Sequence, residues 1–303
     1  MGNNGDAKDH ASELRDLLSL KKIADAKYEY EESDYVIFGV PFDNTSSYRR
    51  GSKYAPDSIR SAYVNLESFE FSYHFDLLKA KIADLGDMEE SEDVEYIVDQ
   101  VERITKMIFS DGKIPIMLGG EHSITVGAVR NLPKDVHMVI IDAHSDFRDS
   151  YMGNKFNHAC VTKRSLEILG PGRITSIGTR SVSLEEYQDP DFDKVEFIPS
   201  FNVKEYGIDR YINEIERKYD KIYISIDMDG IDPAYAPAVG TPEPFGLADY
   251  DVRRIIERLS YKTIGMDINE FSPLYDNGNT SMLAGKLIQV FIASRERYRI
   301  EHI

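Results

Sequence analysis

The feature that most constrains the fold is an alternation of short apolar runs with longer helical patterns along nearly the whole chain. Apolar residues recur at helical spacing over 94–108, 208–215 and 252–259. Parallel strands need crossover connections, which are usually helices. The pattern therefore predicts a single three-layer α/β/α domain around a mostly parallel sheet of about eight strands. The predicted strands are 35–40, 81–85, 114–118, 137–141, 173–178, 195–198, 221–226 and 263–266.

The two ends of the chain differ in character. Residues 1–33 are predicted to form a polar tail with a short amphipathic helix over 11–24, and residues 34–303 the folded domain. The domain contains no linker, repeat or break in composition. Its acidic stretch over 89–95 is interpreted as a helix N-terminus, where carboxylates interact favourably with the helix dipole.

Charge and cysteine content narrow the classes of partner. The chain has 36 Lys and Arg against 53 Asp and Glu, a formal charge of −17. This acid excess argues against a nucleic-acid partner and favours a small cationic one. Cys160 is the only cysteine, so no intrachain disulfide can form and a cytoplasmic location is expected. No apolar run approaches the ~18 residues of a membrane span, so no membrane role is expected.

Imidazoles and carboxylates follow four of the predicted strands. Ligands bind open parallel sheets at the carboxyl ends of the strands, so these residues are predicted to share one edge. Residues two apart in extended chain share a side, which lets each group of side chains converge. The candidates are His122 after the third strand, Asp142, His144 and Asp146 after the fourth, Asp227 and Asp229 after the seventh, and Glu270 after the last.

Four aspartates and two histidines in one place imply bound cations. Carboxylates packed together without a counter-charge raise one another's pKa until they protonate. An oxygen-rich set with a minority of imidazole suits Mn²⁺ best, with Zn²⁺, Fe²⁺ and Co²⁺ as alternatives. Six ligands are too many for one ion with an open position, so we expect two ions per chain that share bridging aspartates.

Turn formation, structural histidines and other catalytic motifs are the alternatives to a metal site. An Asp-x-His-x-Asp segment alone is usually turn chemistry, and only the combination of segments at strand ends favours metal. His137 lies at the opposite end of its strand and is interpreted as structural, as are His10, His74 and His302. The chain has no dinucleotide, phosphate-loop or serine-elbow motif. A catalytic pair of Cys160 as nucleophile and His158 as base is disfavoured, because the two residues of such a pair normally come from distant segments of the chain.

Three of these segments resemble the ureohydrolases, the family of arginase and agmatinase. They are 119–123 (Gly-Gly-Glu-His-Ser), 142–146 (Asp-Ala-His-Ser-Asp) and 225–233 (Ser-Ile-Asp-Met-Asp-Gly-Ile-Asp-Pro). The resemblance covers nearly all of the chain after the tail. It implies two Mn²⁺ ions bridged by Asp142 and Asp227. The first is held also by His122 and Asp146, and the second by His144 and Asp229.

The resemblance also implies a reaction. A hydroxide shared by the two ions would attack a guanidinium carbon, and Asp146 would pass a proton to the departing amine. Glu270 would hold the planar guanidinium through paired charge-assisted bonds. His158 is expected to shuttle protons and contact substrate, although a loop histidine bonded to backbone is the alternative. By the same resemblance, the protein is expected to be a homo-oligomer, a trimer or hexamer.

The substrate is predicted from a second set of segments. Residues 240–244 (Gly-Thr-Pro-Glu-Pro) and 157–159, followed by a Lys-Arg pair, resemble the agmatinase branch, with Glu243 a candidate substrate contact. Asn157, Ala159 and Phe245 depart from that branch's usual Ser, Gly and Gly. We expect hydrolysis of agmatine to putrescine and urea, preferred over arginine because an acidic pocket repels a carboxylate. Arg148, the one cation near the motif, is expected to face solvent or pair with Asp149.

Alternative functions remain open at this stage. Aminopropylagmatine, guanidinobutyrate and arginine are other guanidino substrates for the same chemistry. A catalytically silent relative with a regulatory role belongs to a different class, and it is disfavoured because all six ligand positions are intact.

Overall fold

The fold is built around buried parallel strands, as the apolar runs predict. The computed structural model describes residues 10, 12–14, 17–18 and 22–302. Of the predicted helix over 11–24, residues 12–14 and 17 are helical, residues 22–24 are not, and 11, 15–16 and 19–21 lie outside the described residues. The strands are β1 (Tyr35–Val40), β2 (Phe69–Glu70), β3 (Phe75–Asp76), β4 (Ile82–Asp87), β5 (Ile114–Gly119), β6 (Val136–Ile141), β7 (Ile174–Thr179), β8 (Glu196–Pro199), β9 (Lys221–Asp227) and β10 (Thr263–Asn269).

Eight of these strands form one sheet in the order β4-β1-β5-β10-β9-β6-β7-β8. Every pairing in it is parallel. All eight predicted strands are confirmed, with bounds that differ by at most three residues. The four strands with chemically active ends, β5, β10, β9 and β6, are consecutive neighbours in the middle of the sheet. Their carboxyl ends therefore form one continuous edge.

Both faces of the sheet are covered, which makes the domain three-layered. All six residues of β1 are buried, and alternate side chains enter different cores. Tyr35 and Ile37 pack in one apolar cluster, and Val36 and Phe38 in the other. A strand buried on both faces gives a continuous apolar run in the sequence, which is why these strands are recognisable.

Helices form the two outer layers. They are α1 (Ala55–Tyr63), α2 (Val94–Ser110), α3 (Thr125–Val129), α4 (Val161–Leu169), α5 (Leu184–Tyr187), α6 (Ser200–Tyr206), α7 (Ile208–Lys218), α8 (Asp249–Leu259) and α9 (Asn279–Glu301). Helices α1, α6, α7, α8 and α9 contribute to one core, and α2, α3 and α4 to the other. The three helices predicted from apolar spacing are confirmed as α2, α7 and α8, and Asp93 caps α2 at the predicted acidic start.

The longest helix, α9, has no counterpart among the sequence predictions. Its residues 287–294 are all buried, so no polar face interrupts them and no helical period is visible. It packs against α1 and α8. Within the part of the chain that the structure describes, no helix is both long enough and apolar enough to cross a membrane.

Candidate functional site

The predicted residues meet at the carboxyl edge of the four central strands. The turn after β5 carries His122, and the loop after β6 carries Asp142, His144 and Asp146. Asp227 is the last residue of β9 and Asp229 lies in the 3₁₀ turn that follows it. All four aspartates and His122 are buried, and the side chain of His144 is 24% exposed.

Three of the aspartates surround His122. Its Nδ1 atom lies 3.2 Å from a carboxylate oxygen of Asp142, 3.3 Å from one of Asp146 and 3.4 Å from one of Asp227. We call these four residues the first cluster. The ligand atoms of His122, Asp142 and Asp146 all lie within 4.8 Å of one another, close enough to hold one small cation.

A second cluster is formed by Asp142, His144 and Asp229. The Nδ1 atom of His144 lies 3.0 Å from Oδ2 of Asp229 and 3.8 Å from Oδ1 of Asp142. Asp142 belongs to both clusters, as a bridging ligand requires. Within the first cluster, Asp227 contacts His122 through Oδ2. Its Oδ1 accepts a hydrogen bond from the backbone N–H of Asp229 at 2.8 Å.

The buried atoms of the first cluster fit a bound cation. Among the described residues, His122 Nδ1 and Asp142 Oδ2 have no hydrogen-bond partner, although both are fully buried. The other ring nitrogen of His122 lies 2.9 Å from the hydroxyl of Ser225, which donates to buried Asp267 at 2.6 Å. Such a hydrogen bond fixes the ring of a metal-ligating histidine and leaves its second nitrogen free for the ion. The donor set, rich in oxygen with two imidazoles, suits Mn²⁺.

Electrostatics of the two clusters favour a cation. Burial raises the pKa of Asp142 to about 7, and repulsion from Asp146 adds to the effect. Burial and the neighbouring Asp229 raise the pKa of Asp227 well above its ordinary value. Burial opposes charge on His122, but the three carboxylates that face Nδ1 raise its pKa well above the ordinary value. A divalent cation would offset the repulsion between these buried carboxylates.

An open cavity lies against the clusters. Glu270 and His158 line it together with Asp146, Asp227 and Asp229. Glu243 lies outside the lining residues, and its carboxylate is 3.8 Å from His144 Nε2. Further lining residues are Ser47, His144, Arg148, Tyr151, Ala159 and Thr241.

Glu270 is held in a strained conformation at the cavity wall. Its φ is 62°, a left-handed conformation that costs a non-glycine residue of order ~1 kcal/mol. Its backbone N–H donates to the carbonyl of Gly120 at 2.8 Å, and its Oε1 accepts the backbone N–H of His122 at 2.7 Å. Burial and the nearby Glu121 raise the pKa of Glu270 well above its ordinary value. A cationic ligand in the cavity would restore its charge.

The expectation for Arg148 is wrong. Asp149 pairs instead with Arg164 at 2.8 Å and with Lys155 at 3.8 Å. Arg148 lines the cavity, with its guanidinium over the ring of Tyr151 at 4.9 Å and 3.3 Å from the exposed carboxylate of Glu185. The cavity wall therefore carries a partly neutralised cation.

Arg180, which the sequence does not single out, connects the loops around the site. It follows β7, and its five N–H groups donate to five backbone carbonyls at 2.7 to 3.2 Å. The planar guanidinium has five donors, and all are used here. The acceptors are the carbonyls of Gly178, Asp229, Gly230, Glu243 and Pro244.

The residues interpreted as structural lie away from the cavity. His137 is buried at the start of β6, stacked on Tyr219 with ring centroids 3.6 Å apart, and burial lowers its pKa to about 3. Cys160 is buried, and burial together with Asp146 raises its pKa to about 12, so it is a poor nucleophile.

Comparisons with known proteins agree with this geometry. A family model described as the arginase family matches residues 33–293. The chain is 36% identical over 274 residues to an agmatinase of Pyrococcus horikoshii, which covers 89% of this chain and 94% of the relative. It is 36% identical over 277 residues to an N(1)-aminopropylagmatine ureohydrolase of Thermococcus kodakarensis, covering 89% and 93%. A solved structure of agmatine ureohydrolase from Thermoplasma volcanium is 76% identical, with a TM-score of 0.93 over 96% of this chain and 100% of that one.

Proposed function

Because the chain belongs to the arginase family, we propose that it hydrolyses agmatine to putrescine and urea at a site with two Mn²⁺ ions. It is a hydrolase of C–N bonds in amidines. The observation that supports the reaction is the sharing of Asp142 between two clusters that border one cavity, with Glu270 at its wall. The match to agmatine ureohydrolase at 76% identity favours agmatine as substrate.

Six side chains would hold the ions, the first cluster one ion and the second cluster the other, with Asp142 common to both clusters. The resemblance to the ureohydrolases implies that Asp227 would be shared as well. When bound, two divalent cations supply a hydroxide nucleophile near neutral pH and stabilise charge that develops on it. The contribution of the protein is the fixed geometry of the ligands, which Ser225 and Asp267 support through His122.

Glu270 would bind the guanidinium group. Its Oε1 is anchored by the backbone N–H of His122, and its Oε2 faces Gly240, where a Cβ would lie only 3.4 Å away. A carboxylate fixed in this way pairs with the planar guanidinium through charge-assisted bonds. This contact would place the guanidinium carbon beside the clusters.

Two residues would handle protons. Asp146, whose carboxylate borders both His122 and the cavity, would accept a proton from the nucleophile and hand it to the departing amine. His158 lines the same cavity and would relay a proton to that amine: its neutral ring would first accept a proton from water in the cavity, leaving hydroxide, and would then pass the proton to the amine. Burial lowers the pKa of His158, so its resting form near pH 7 is the neutral ring.

A second substrate is favoured by one of the comparisons. The relative from Thermococcus kodakarensis is named an N(1)-aminopropylagmatine ureohydrolase and is as similar in sequence as the agmatinase. The cavity is open toward solvent, so a longer amine chain would extend outward past Arg148 and Tyr151.

We expect the Mn²⁺-loaded protein to prefer agmatine to arginine by about a hundredfold in kcat/KM. The α-carboxylate of arginine would meet buried carboxylates, and like-charge contacts cost several kcal/mol. Arg148 is the one Lys or Arg among the described residues that line the cavity, and the carboxylate of Glu185 offsets its charge. Urea release from agmatine, aminopropylagmatine, guanidinobutyrate and arginine measures the ranking.

Two variants sharpen this test. Glu185→Gln removes the carboxylate that pairs with Arg148, so it should reduce the preference for agmatine over arginine. Arg148→Ala should increase that preference. Equal turnover of agmatine and arginine by the unmodified protein would contradict the proposed substrate.

Arg180→Lys is expected to lower kcat/KM for agmatine about tenfold, in the range typical of residues that orient metal ligands. Lysine has three donors and no fork, so it cannot join five carbonyls. Arg173→Lys, at an arginine with one recorded carbonyl contact at 3.4 Å, is the matched control and should leave turnover unchanged. Wild-type turnover in the Arg180 variant would show that the loops hold their positions without the guanidinium.

A further inference from the structure

Thr45, in the loop after β1, lies beside the imidazole of His158. Its hydroxyl oxygen is 3.0 Å from the backbone nitrogen of His158 and 3.2 Å from Nδ1 of the ring. The same hydroxyl contacts Oε1 of Glu121, and the backbone N–H of Thr45 donates to Oε2 at 2.7 Å. One side chain thus connects a buried carboxylate to the proposed proton shuttle.

Close packing fixes the position of this loop. The backbone N–H of Glu121 donates to the carbonyl of Phe42 at 2.7 Å. A Cβ atom on Gly120 would lie 2.1 Å from the same carbonyl, so only glycine allows the approach. Thr45 is therefore held against Glu121 by backbone contacts as well as by its own hydroxyl.

Counting protons determines the direction of each hydrogen bond. A hydroxyl has one proton to donate and two lone pairs that accept. Glu121 also accepts from the hydroxyl of Ser123 at 2.6 Å, so both of its carboxylate oxygens act as acceptors, Oε1 for the hydroxyls of Thr45 and Ser123 and Oε2 for the backbone N–H of Thr45. The Thr45 proton is then committed to Glu121, and both contacts from His158 must be donated to Thr45. The backbone N–H meets that requirement, and Nδ1 meets it only when it carries a proton.

We propose that Thr45 is a positioning residue that fixes His158 in the tautomer protonated at Nδ1, leaving the lone pair on Nε2 for proton exchange in the cavity. The inference rests on the proposed function for the role of His158 and on the hydrogen-bond geometry for its tautomer. Without this hydrogen bond, the ring would spend part of the time in the tautomer protonated at Nε2, which has no lone pair facing the cavity. Thr45 prevents this without touching substrate.

The tautomer can be measured directly. Full-length protein labelled with ¹⁵N-histidine is compared at pH 8, without added metal, by long-range ¹H–¹⁵N correlation, with the His158 signals assigned from their absence in His158→Gln. We expect Nδ1 to be protonated in the unmodified protein and in Thr45→Ser, which keeps the hydroxyl. In Thr45→Val the Nε2-protonated form should appear. An Nε2-protonated ring in the unmodified protein, or an unchanged tautomer in Thr45→Val, would overturn the proposal.

Kinetics separate this inference from the proposed function. With Mn²⁺ and agmatine, Thr45→Val should lower kcat about tenfold with little change in KM, since part of the ~10²–10⁴-fold that general acid–base catalysis supplies is lost. Thr45→Ser should restore turnover. Absence of urea release from every guanidino compound would refute the proposed function, while the tautomer measurement would still decide the role of Thr45.

Discussion

Asp142→Asn should abolish binding of both metal ions and lower kcat/KM for agmatine by at least about a thousandfold. Asp142 belongs to both clusters, so loss of its charge weakens each of them. Stabilisation by a bound cation is worth several kcal/mol, and each 1.36 kcal/mol is a factor of ten in rate. Metal content after reconstitution with Mn²⁺ should fall from two ions per chain to less than one. Asp227→Ala should behave in the same way if Asp227 also bridges.

Thermal stability provides a readout that does not depend on turnover. Asp142 is buried beside Asp146 and Asp229, so removing its charge should stabilise the metal-free protein. Added Mn²⁺ should raise the Tm of the unmodified protein, because a ligand at a hundredfold excess over Kd adds about 2.7 kcal/mol to the free energy of unfolding. The Tm of the variant should not change. Asp149→Ala is the matched control, because Asp149 lies on the same loop with its side chain 60% exposed. Two ions retained by Asp142→Asn would contradict the binuclear site.

The sheet could be predicted from sequence because its strands are buried on both faces. Strands β1 and β6 are buried throughout and apolar except for His137, and polar connections mark their ends. Two kinds of element were not predicted from the sequence. Helix α9 is buried on most sides and shows no polar period, and β2 and β3 are only two residues long. Their identity depends on tertiary packing that no local pattern records.

The candidate metal ligands were predictable for a related reason. A carboxylate or imidazole directly after a buried parallel strand can only emerge at one edge, so His122 and Asp142 had to lie near each other. The residues around them were not predictable from spacing. Thr45, Arg148 and Arg180 act through loops whose paths depend on hydrogen bonds formed in the folded chain. The loop of Thr45 follows β1, which pairs with β5. This position was the one feature of the sequence that could have pointed to Thr45.

His158→Ala should lower kcat for agmatine by roughly 10²-fold to 10⁴-fold, the range supplied by a positioned general acid or base, with both metal ions retained. Among the described residues, the hydrogen bonds of the His158 ring nitrogen Nδ1 and backbone N–H are to Thr45 and not to the two clusters. The loss should therefore appear in kcat, and metal content should remain at two ions per chain. His302→Ala, which alters an exposed histidine directly after the end of α9, is the matched control.

The pH dependence tests the same assignment. Burial lowers the pKa of His158 below its ordinary 6.5, so the neutral ring persists down to acidic pH and protonates as pH falls through that lowered value. The unmodified protein should lose turnover there, and small imidazole added to His158→Ala should restore part of it near pH 8. A variant with full kcat across this range would transfer proton delivery to Asp146 or to water, since the structure places Asp146 on the same cavity.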